Sequence, residues 1–544
     1  MDILKFASTV FVLSSLSVFL FVSISLLNKL WLTPIRKQRF LRRQGIKGTS
    51  YKFLHGNTKE ILSLRKESMG MPMDYLSHNL FPRFHPHFYS WLKIYGKNFL
   101  TWYGPRAELF VTEVEFVKEI MNKIQDYPKI EMSTGFVKVL LGDGLVTAKG
   151  KKWAKQRKLA NQVFHADSLK SMTPAMIASV EMMLDRWKQH EGKEIDVFQE
   201  FKFLSSEIIS RTAFGSSFME GKDIFDMLTE IAIIITRNSY RVRLPGLSRF
   251  FKSEDDIRSE KLEQGIHDSI LRIMEKRKKE SAMRGEVGSF GTDFLGSLMK
   301  AMIDSDQDKR ITIQDVIDEC KTFYVAGQET TSTMLSWVVF LLGSHTDWQE
   351  KARQEVLNLF GKEQPNSDGI ARLKIVNMII NETLRLYPPV TEFTRQVKEE
   401  TKLGNYILPA NIHVVLSTLA LHHDTNIWGE DAHQFKPERF SQGVAKATNN
   451  NPAVYIPFGL GPRSCVGLNF ATNEAKISLT MILQRYSFTL SPTYIHSPIQ
   501  ILTTRPQHGV QQPAQSSTPN VSGDNSKHAL LAGPLSEKVS DSSW

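Results

Sequence analysis

The sequence predicts a mainly α-helical chain with minor β sheet, preceded by one N-terminal membrane-crossing helix. Three observations carry this. Residues Phe6 to Asn28 form an uncharged run of 23. The chain after them holds several long stretches with helical periodicity, whereas strand-like alternation is short and scattered. Composition is that of a globular protein: 544 residues, 41% hydrophobic and 23% charged, which excludes a collagen, a long coiled coil, a mostly disordered chain and a multi-span membrane protein. Length alone would suggest about three or four domains, and it leaves ample chain to bury a large core.

The N-terminal run, FASTVFVLSSLSVFLFVSISLLN, would make a helix about 35 Å long, enough for a hydrocarbon core of about 30 Å. Lys29, Arg36, Lys37, Arg39, Arg42, Arg43 and Lys47 follow it, and no acid occurs between Asp2 and Glu60. The positive-inside bias places everything after the span on the cytosolic side. A cleaved secretory signal would carry its charges before a shorter apolar stretch, the reverse of this order. Residues 1–28 therefore read as a retained anchor and 29–50 as a basic linker facing anionic headgroups. That juxtamembrane cluster accounts for part of the net charge of +11; because it abuts the span, it speaks for membrane lipid and not for nucleic acid. The linker reads Gly48-Thr49-Ser50-Tyr51, without the prolines whose fixed φ would stiffen it.

Residues 51–510 read as one folded domain. Helices are expected at Ile177–Gln189, Glu260–Lys279, Thr312–Leu342 and Asp347–Phe360, and Thr312 with Asp315 three residues on resembles a capping box. Strands are expected at Phe99–Trp102, Leu109–Val111, Tyr406–Leu408 and His413–Leu416. Residues 511–544 hold eight serines with scattered Pro, Gly, Asn and Gln, the composition of a disordered tail. Two cysteines, Cys320 and Cys465, exclude a disulfide scaffold, and a buried structural thiol is the default reading of Cys320.

Cys465 demands another. Phe458-Gly459-Leu460-Gly461-Pro462-Arg463-Ser464-Cys465-Val466-Gly467 fits F-x-x-G-x-R-x-C-x-G. With five fixed positions at roughly 5% each, a chance match in this chain is on the order of 1 in 10⁴. The pattern suits a thiolate bound to iron: glycines let amides approach the sulfur, Arg463 supplies a cation for haem carboxylates, and Phe458 shields the sulfur from water. Read without that chemistry, the segment is a glycine-rich turn with a buried cysteine.

Further signals fall in order around it. Ala326-Gly327-Gln328-Glu329-Thr330-Thr331 lies midway along the helix starting near 312. Glycine there costs about 1 kcal/mol relative to alanine, so something flat is expected against the backbone, with an acid and two hydroxyls beside it to relay protons. A small-residue helix contact with a solvated Glu329 is the alternative. Glu382 and Arg385 share a helix face at i, i+3, and Arg439 in Phe435-Lys436-Pro437-Glu438-Arg439-Phe440 could complete a fork with them. Alone, the pair would be an ordinary surface ion pair.

Together with Trp153-x-x-x-Arg157, this set resembles the haem-thiolate monooxygenases, the cytochrome P450 superfamily, across Leu30 to Gly509. The resemblance implies the cytochrome P450 fold, haem b with Cys465 as axial thiolate, and propionates held by Trp153, Arg157, Arg395 and Arg463. Thr330 resembles the oxygen-activating alcohol, Glu329 its acidic neighbour, and Glu382, Arg385 and Arg439 the core that supports the haem loop. Gln44-Gly45-Ile46-Lys47-Gly48, Trp428-Gly429-Glu430-Asp431-Ala432, Ser491-Pro492-x-Tyr494-x-His496 and Arg505-Pro506-Gln507-His508-Gly509 resemble the plant lineage called the seventy-two clan, whose members hydroxylate terpenoids and small hormones. Val390, Thr391 and Phe393, with Thr503 and Thr504, resemble positions around the substrate pocket.

The resemblance further implies O2 and a small lipophilic molecule as substrates, and a separate NADPH-dependent cytochrome reductase as electron donor, since no flavin or nicotinamide motif is visible. It implies a single-pass location in the endoplasmic reticulum membrane with the catalytic domain in the cytosol. One departure bears on activity: where relatives continue after Gly509 as an apolar strand, this chain reads Val510-Gln511-Gln512-Pro513-Ala514, so the closing strand is expected to be absent or replaced. That leaves room for a second function class, a haem-binding membrane protein that no longer turns over. A cysteine-nucleophile hydrolase at Cys465 lacks a local histidine base apart from His433.

Overall fold

A computed structural model describes residues 2–130, 135–190, 192–239, 252–285 and 288–516. All four expected helices form, each longer at one or both ends: Ala166–Lys188, Glu254–Met283, Ile313–Ser344 and Thr346–Phe360. Ile313–Ser344 is the axis of the domain. It is buried along most of its length, its charged and polar side chains such as Asp318, Glu319, Lys321 and Gln328 included, as a core helix is. The Thr312 hydroxyl accepts from the Asp315 amide at 3.1 Å, and the Asp315 carboxylate accepts from the Thr312 amide at 2.8 Å. That reciprocal cap satisfies two orphan donors and fixes where the helix begins.

The four expected strands join a main sheet and a small hairpin. The main sheet runs Asn98–Tyr103, Arg106–Val111, His413–Ser417 and Glu392–Gln396, with the middle pair parallel and the outer pairs antiparallel. Its last strand delivers Glu392, Phe393 and Arg395 to the interior of the molecule. Tyr406–Leu408 pairs with Thr401–Leu403.

Two expectations are corrected. The basic segment is not a free linker. Helix Asp2–Leu27 continues through a wider turn at Asn28–Leu32 into helix Thr33–Arg43; the run from Phe6 is long and apolar enough to cross a membrane, and none of its apolar window is buried. Beyond it, Lys37 Nζ donates to the Ala410 carbonyl at 2.9 Å. The Gln44 amide both donates to Ile407 O at 3.0 Å and accepts from Ile407 N at 2.6 Å. Thr49 N donates to Leu100 O and Leu100 N to Lys47 O, each at 2.9 Å. Gly48, at φ +150°, lies so close to Leu100 that a Cβ would come 2.1 Å from its carbonyl oxygen. Docking onto the sheet supplies the stiffness that proline does not.

The closing strand is also present. Gln511–Ser516 is the middle of a three-stranded sheet, pairing through 511–513 with Glu194–Asp196 and through 514–516 with Tyr486–Phe488. The switch of partner falls at Pro513, so the residue without an amide hydrogen stands where one ladder ends and the other starts. Gln512 is buried and donates to Val339 O at 3.0 Å. The expected tail therefore begins no earlier than 517, and 517–544 lie outside the described residues.

Candidate active site

The Cys465 loop is a tight hairpin. Cys465 N donates to Phe458 O at 2.8 Å and Gly459 N to Ile456 O at 3.0 Å. Gly459 and Gly461 both have left-handed φ, +75° and +70°, and a Cβ on Gly461 would strike Met121 O at 2.8 Å. Only glycine fits there without strain. The thiol has open surface while protein atoms enclose it on all sides; both hold because what it opens onto is a cavity of about 450 Å³ and not bulk water. Burial pushes the thiol up from its ordinary value, and the Gly467 amide hydrogen-bonded to it, with the Arg157 charge, pulls it back. Cys320, by contrast, is enclosed in the core and strongly raised by burial, as expected of a structural thiol.

Behind the loop, the Glu382–Arg385 pair is no surface ion pair. Both side chains are completely buried. The Arg385 guanidinium grips the Glu382 carboxylate with two contacts of 2.8 Å. Its remaining hydrogens go to His422 O at 2.8 Å, Ala432 O at 2.6 Å and Gln434 O at 3.3 Å. Glu382 Oε1 also accepts from Lys436 N at 3.0 Å. Arg439 Nε stands 3.5 Å from the same oxygen without a hydrogen bond; its guanidinium is held by Trp428 O at 2.7 Å and Asp431 O at 2.6 Å.

The cavity is lined by Cys465, Phe458, Arg463, Trp153, Arg157, Thr330, Val390 and Phe393 among others, so most of the predicted site does converge. Its edge is unusually cationic. Arg157 donates to Ser464 O at 2.5 Å. Arg463 donates to Ala148 O at 2.7 Å and lies over the Trp153 ring at 4.3 Å, and among the described residues its buried Nη1 has no partner. Arg395 is buried just behind, bonded to Thr394 O at 3.1 Å. Lys129, which the sequence reading missed, joins them through a bridge to Arg395 and faces the same cavity. Burial and the neighbouring arginines push Lys129 down to about 7 and Arg463 to about 10; burial alone does so for Arg395, also to about 10. Nothing in the sequence around Lys129 marked it, since its role depends on a bridge to a residue 266 positions later.

Such a cluster of desolvated cations, with an orphaned guanidinium nitrogen, is what a dianionic ligand edge would neutralise. A planar group with two carboxylates lying over a thiol fits the residues present.

The cytochrome P450 family model matches residues 76–511. The chain belongs to the cytochrome P450 family. It is 75% identical over 502 residues, 92% of this chain and 96% of the relative, to cytochrome P450 CYP749A22 of Panax ginseng. It is 43% identical to 11-oxo-beta-amyrin 30-oxidase of Glycyrrhiza uralensis, covering 89% of this chain and 93% of that one. It is 42% identical to secologanin synthase 2 of Catharanthus roseus, covering 88% and 92%. The P450 is thus a monooxygenase of the plant seventy-two clan that carries haem with a cysteine thiolate as axial ligand.

Gly327 lines the cavity beside Ala326 and Ile209; a Cβ on it would also meet Ile209 of helix Val197–Phe214 at 2.7 Å, so its smallness serves the helix contact that Gln328 seals with a 2.6 Å bond to Ser206 as well. Other predicted residues stand off the cavity. Glu329 turns away, its carboxylate accepting from Thr503 at 3.0 Å and lying 4.0 Å from Arg505, while Thr330 lines the cavity. Thr503 is therefore engaged with Glu329 and Thr333 and Thr504 with Pro388 O, and neither lines the pocket. Thr391 is likewise turned to His85 and Gln500.

Proposed function

We propose that this P450 is a membrane-anchored hydroxylase of a small lipophilic metabolite of the terpenoid or hormone class, working at the cytosolic face of the endoplasmic reticulum with electrons from an NADPH-dependent reductase. The observation that carries the reading is the Cys465 thiol opening into a largely apolar cavity edged by Arg157, Arg463 and Lys129, with Arg395 buried behind them. Relatives named for amyrin oxidation and secologanin synthesis support the terpenoid class, and the exposed apolar helix with basic residues after it supports the anchor.

In this reading Cys465 holds iron, with the Gly467 amide tuning the sulfur. Trp153, Arg157, Arg395 and Arg463 hold the propionates and Phe458 keeps water from the thiolate. When bound, haem supplies O2 activation and insertion of one oxygen atom into the substrate. The chain supplies orientation, dryness and protons. Thr330 presents its hydroxyl at the cavity wall, at present donating to Ala326 O at 2.7 Å. Releasing that bond frees the hydroxyl to pass a proton. Glu329 is the acid behind it, reached by side-chain rotation away from Thr503 and Arg505.

The test is expression of the full chain in microsomal membranes and the carbon monoxide difference spectrum of the reduced protein. A thiolate-type Soret band is expected, followed by turnover of terpenoid or hormone substrates with reductase. A non-thiolate band overturns the Cys465 assignment; a thiolate band with no turnover across those classes favours the haem-binding protein that does not turn over.

A further inference from the structure

On the strand that ends at Arg395, Glu392 lines the same cavity as Cys465 and Thr330. About a third of its side chain is open, while protein surrounds it on every side, so its free surface also faces the cavity. Among the described residues its carboxylate accepts no hydrogen bond; the nearest cation-capable atom, His85 Nδ1, is 3.9 Å away, beyond bonding distance. Burial and the Glu108 charge push the Glu392 carboxyl up to about 7, with Arg65 pulling the other way. A carboxylate left this way is costly and gains from any donor that reaches it.

The surroundings are ordered to present it. Arg65 donates to Gln500 Oε1 at 3.4 Å. An arginine cannot accept, so the amide orientation is fixed and Gln500 Nε2 donates to Thr391 Oγ1 at 2.7 Å. Among the described residues the acceptor within reach of the Thr391 hydroxyl hydrogen is His85 Nε2 at 3.2 Å. That assigns the His85 proton to Nδ1, aimed at Glu392. Burial holds His85 well below its ordinary value, so the imidazole is neutral and contributes a dipole, not a counter-ion. Four distant segments thus converge to aim the His85 dipole at the carboxyl without satisfying it.

The geometry points to Glu392 as a specificity-determining residue that takes a hydrogen-bond donor of the substrate, a hydroxyl or an amine, while the remainder of a lipophilic molecule lies against the apolar wall. Substrates carrying a carboxylate at that end are disfavoured by the Glu392 carboxylate. Arg65, Gln500 and Thr391 are positioning residues that act through His85. This deepens the hydroxylase reading and rests on it.

The test uses the haem-loaded full chain and a series of N-alkylimidazoles of increasing chain length that end in methyl, hydroxyl or primary amine; the imidazole anchors at iron and its binding is read from the Soret shift. In the native chain, the hydroxyl and amine ends are expected to bind about tenfold or more tighter than methyl at one or more lengths. Glu392→Leu should erase both preferences, and Glu392→Gln should keep the hydroxyl preference and lose that for the amine. Equal or tighter binding of the methyl series at every length overturns the proposal, as does a preference that survives in Glu392→Leu. Should the leucine variant not load haem, the amine preference in Glu392→Gln decides, its persistence overturning the proposal. No thiolate band and no Soret shift with any ligand in the native chain would instead overturn the haem-thiolate reading itself.

Discussion

The two sides of the Cys465 loop differ in how completely their polar groups are matched. On the inner side, Glu382 and Arg385 are wholly buried, and the guanidinium fork meets the carboxylate and three carbonyls. On the cavity side, among the described residues, Arg463 Nη1 has no partner, Lys129 is held among arginines, and Glu392 accepts nothing. Buried polar groups are ordinarily satisfied. Where the matching closes, the region is scaffold and removing one partner strands a charge. Where it stays open, the missing partners are ligands, and changes there alter binding and turnover before they alter the fold.

That contrast is open to test. Cys465→Ala should abolish the thiolate band and all turnover; a native-type spectrum in this variant would remove the distinction at its centre. Glu382→Ala should lower stability by about 3–5 kcal/mol, because it leaves a buried guanidinium uncompensated, and haem-loaded yield and melting temperature should fall together. Arg385→Lys retains charge but not the fork, so near-native haem loading there would show that charge alone sustains the scaffold.

Truncation after Ser516 should leave haem content unchanged, whereas truncation after Gly509 removes the middle strand of its sheet and should lower haem-loaded yield. Equal yields from the two truncations would demote that strand. The mildest change in structure is Thr330→Ala. It should keep full haem content, raise peroxide released per NADPH consumed, and cut product formation by about tenfold or more. Unaltered coupling would make the cavity-side hydroxyl dispensable.

Much of the scaffold was legible from local pattern. The Thr312–Asp315 cap, the apolar run from Phe6 and the Cys465 loop are each written within a few consecutive residues, and each has the expected form. The resting partner of Glu329 was not legible, because motif adjacency says nothing about which distant segment a side chain meets, and its carboxylate accepts from Thr503. The strand at Gln511–Ser516 was missed because its sequence is polar: its pairing comes from backbone groups of Glu194–Asp196 and Tyr486–Phe488, and Pro513 falls at the change of partner.

By itself, then, the sequence determined the apolar N-terminal helix, the helical domain, the thiolate loop and the family, because each depends on neighbours in the chain or on a short spacing of rare residues. Tertiary structure decided that the basic segment docks on Leu100, that Gly327 packs on Ile209, that Lys129 joins three arginines and that Glu392 lines the cavity with no hydrogen-bond partner among the described residues. Those outcomes depend on segments tens to hundreds of residues apart meeting at a few ångströms, and only the packed chain brings them there.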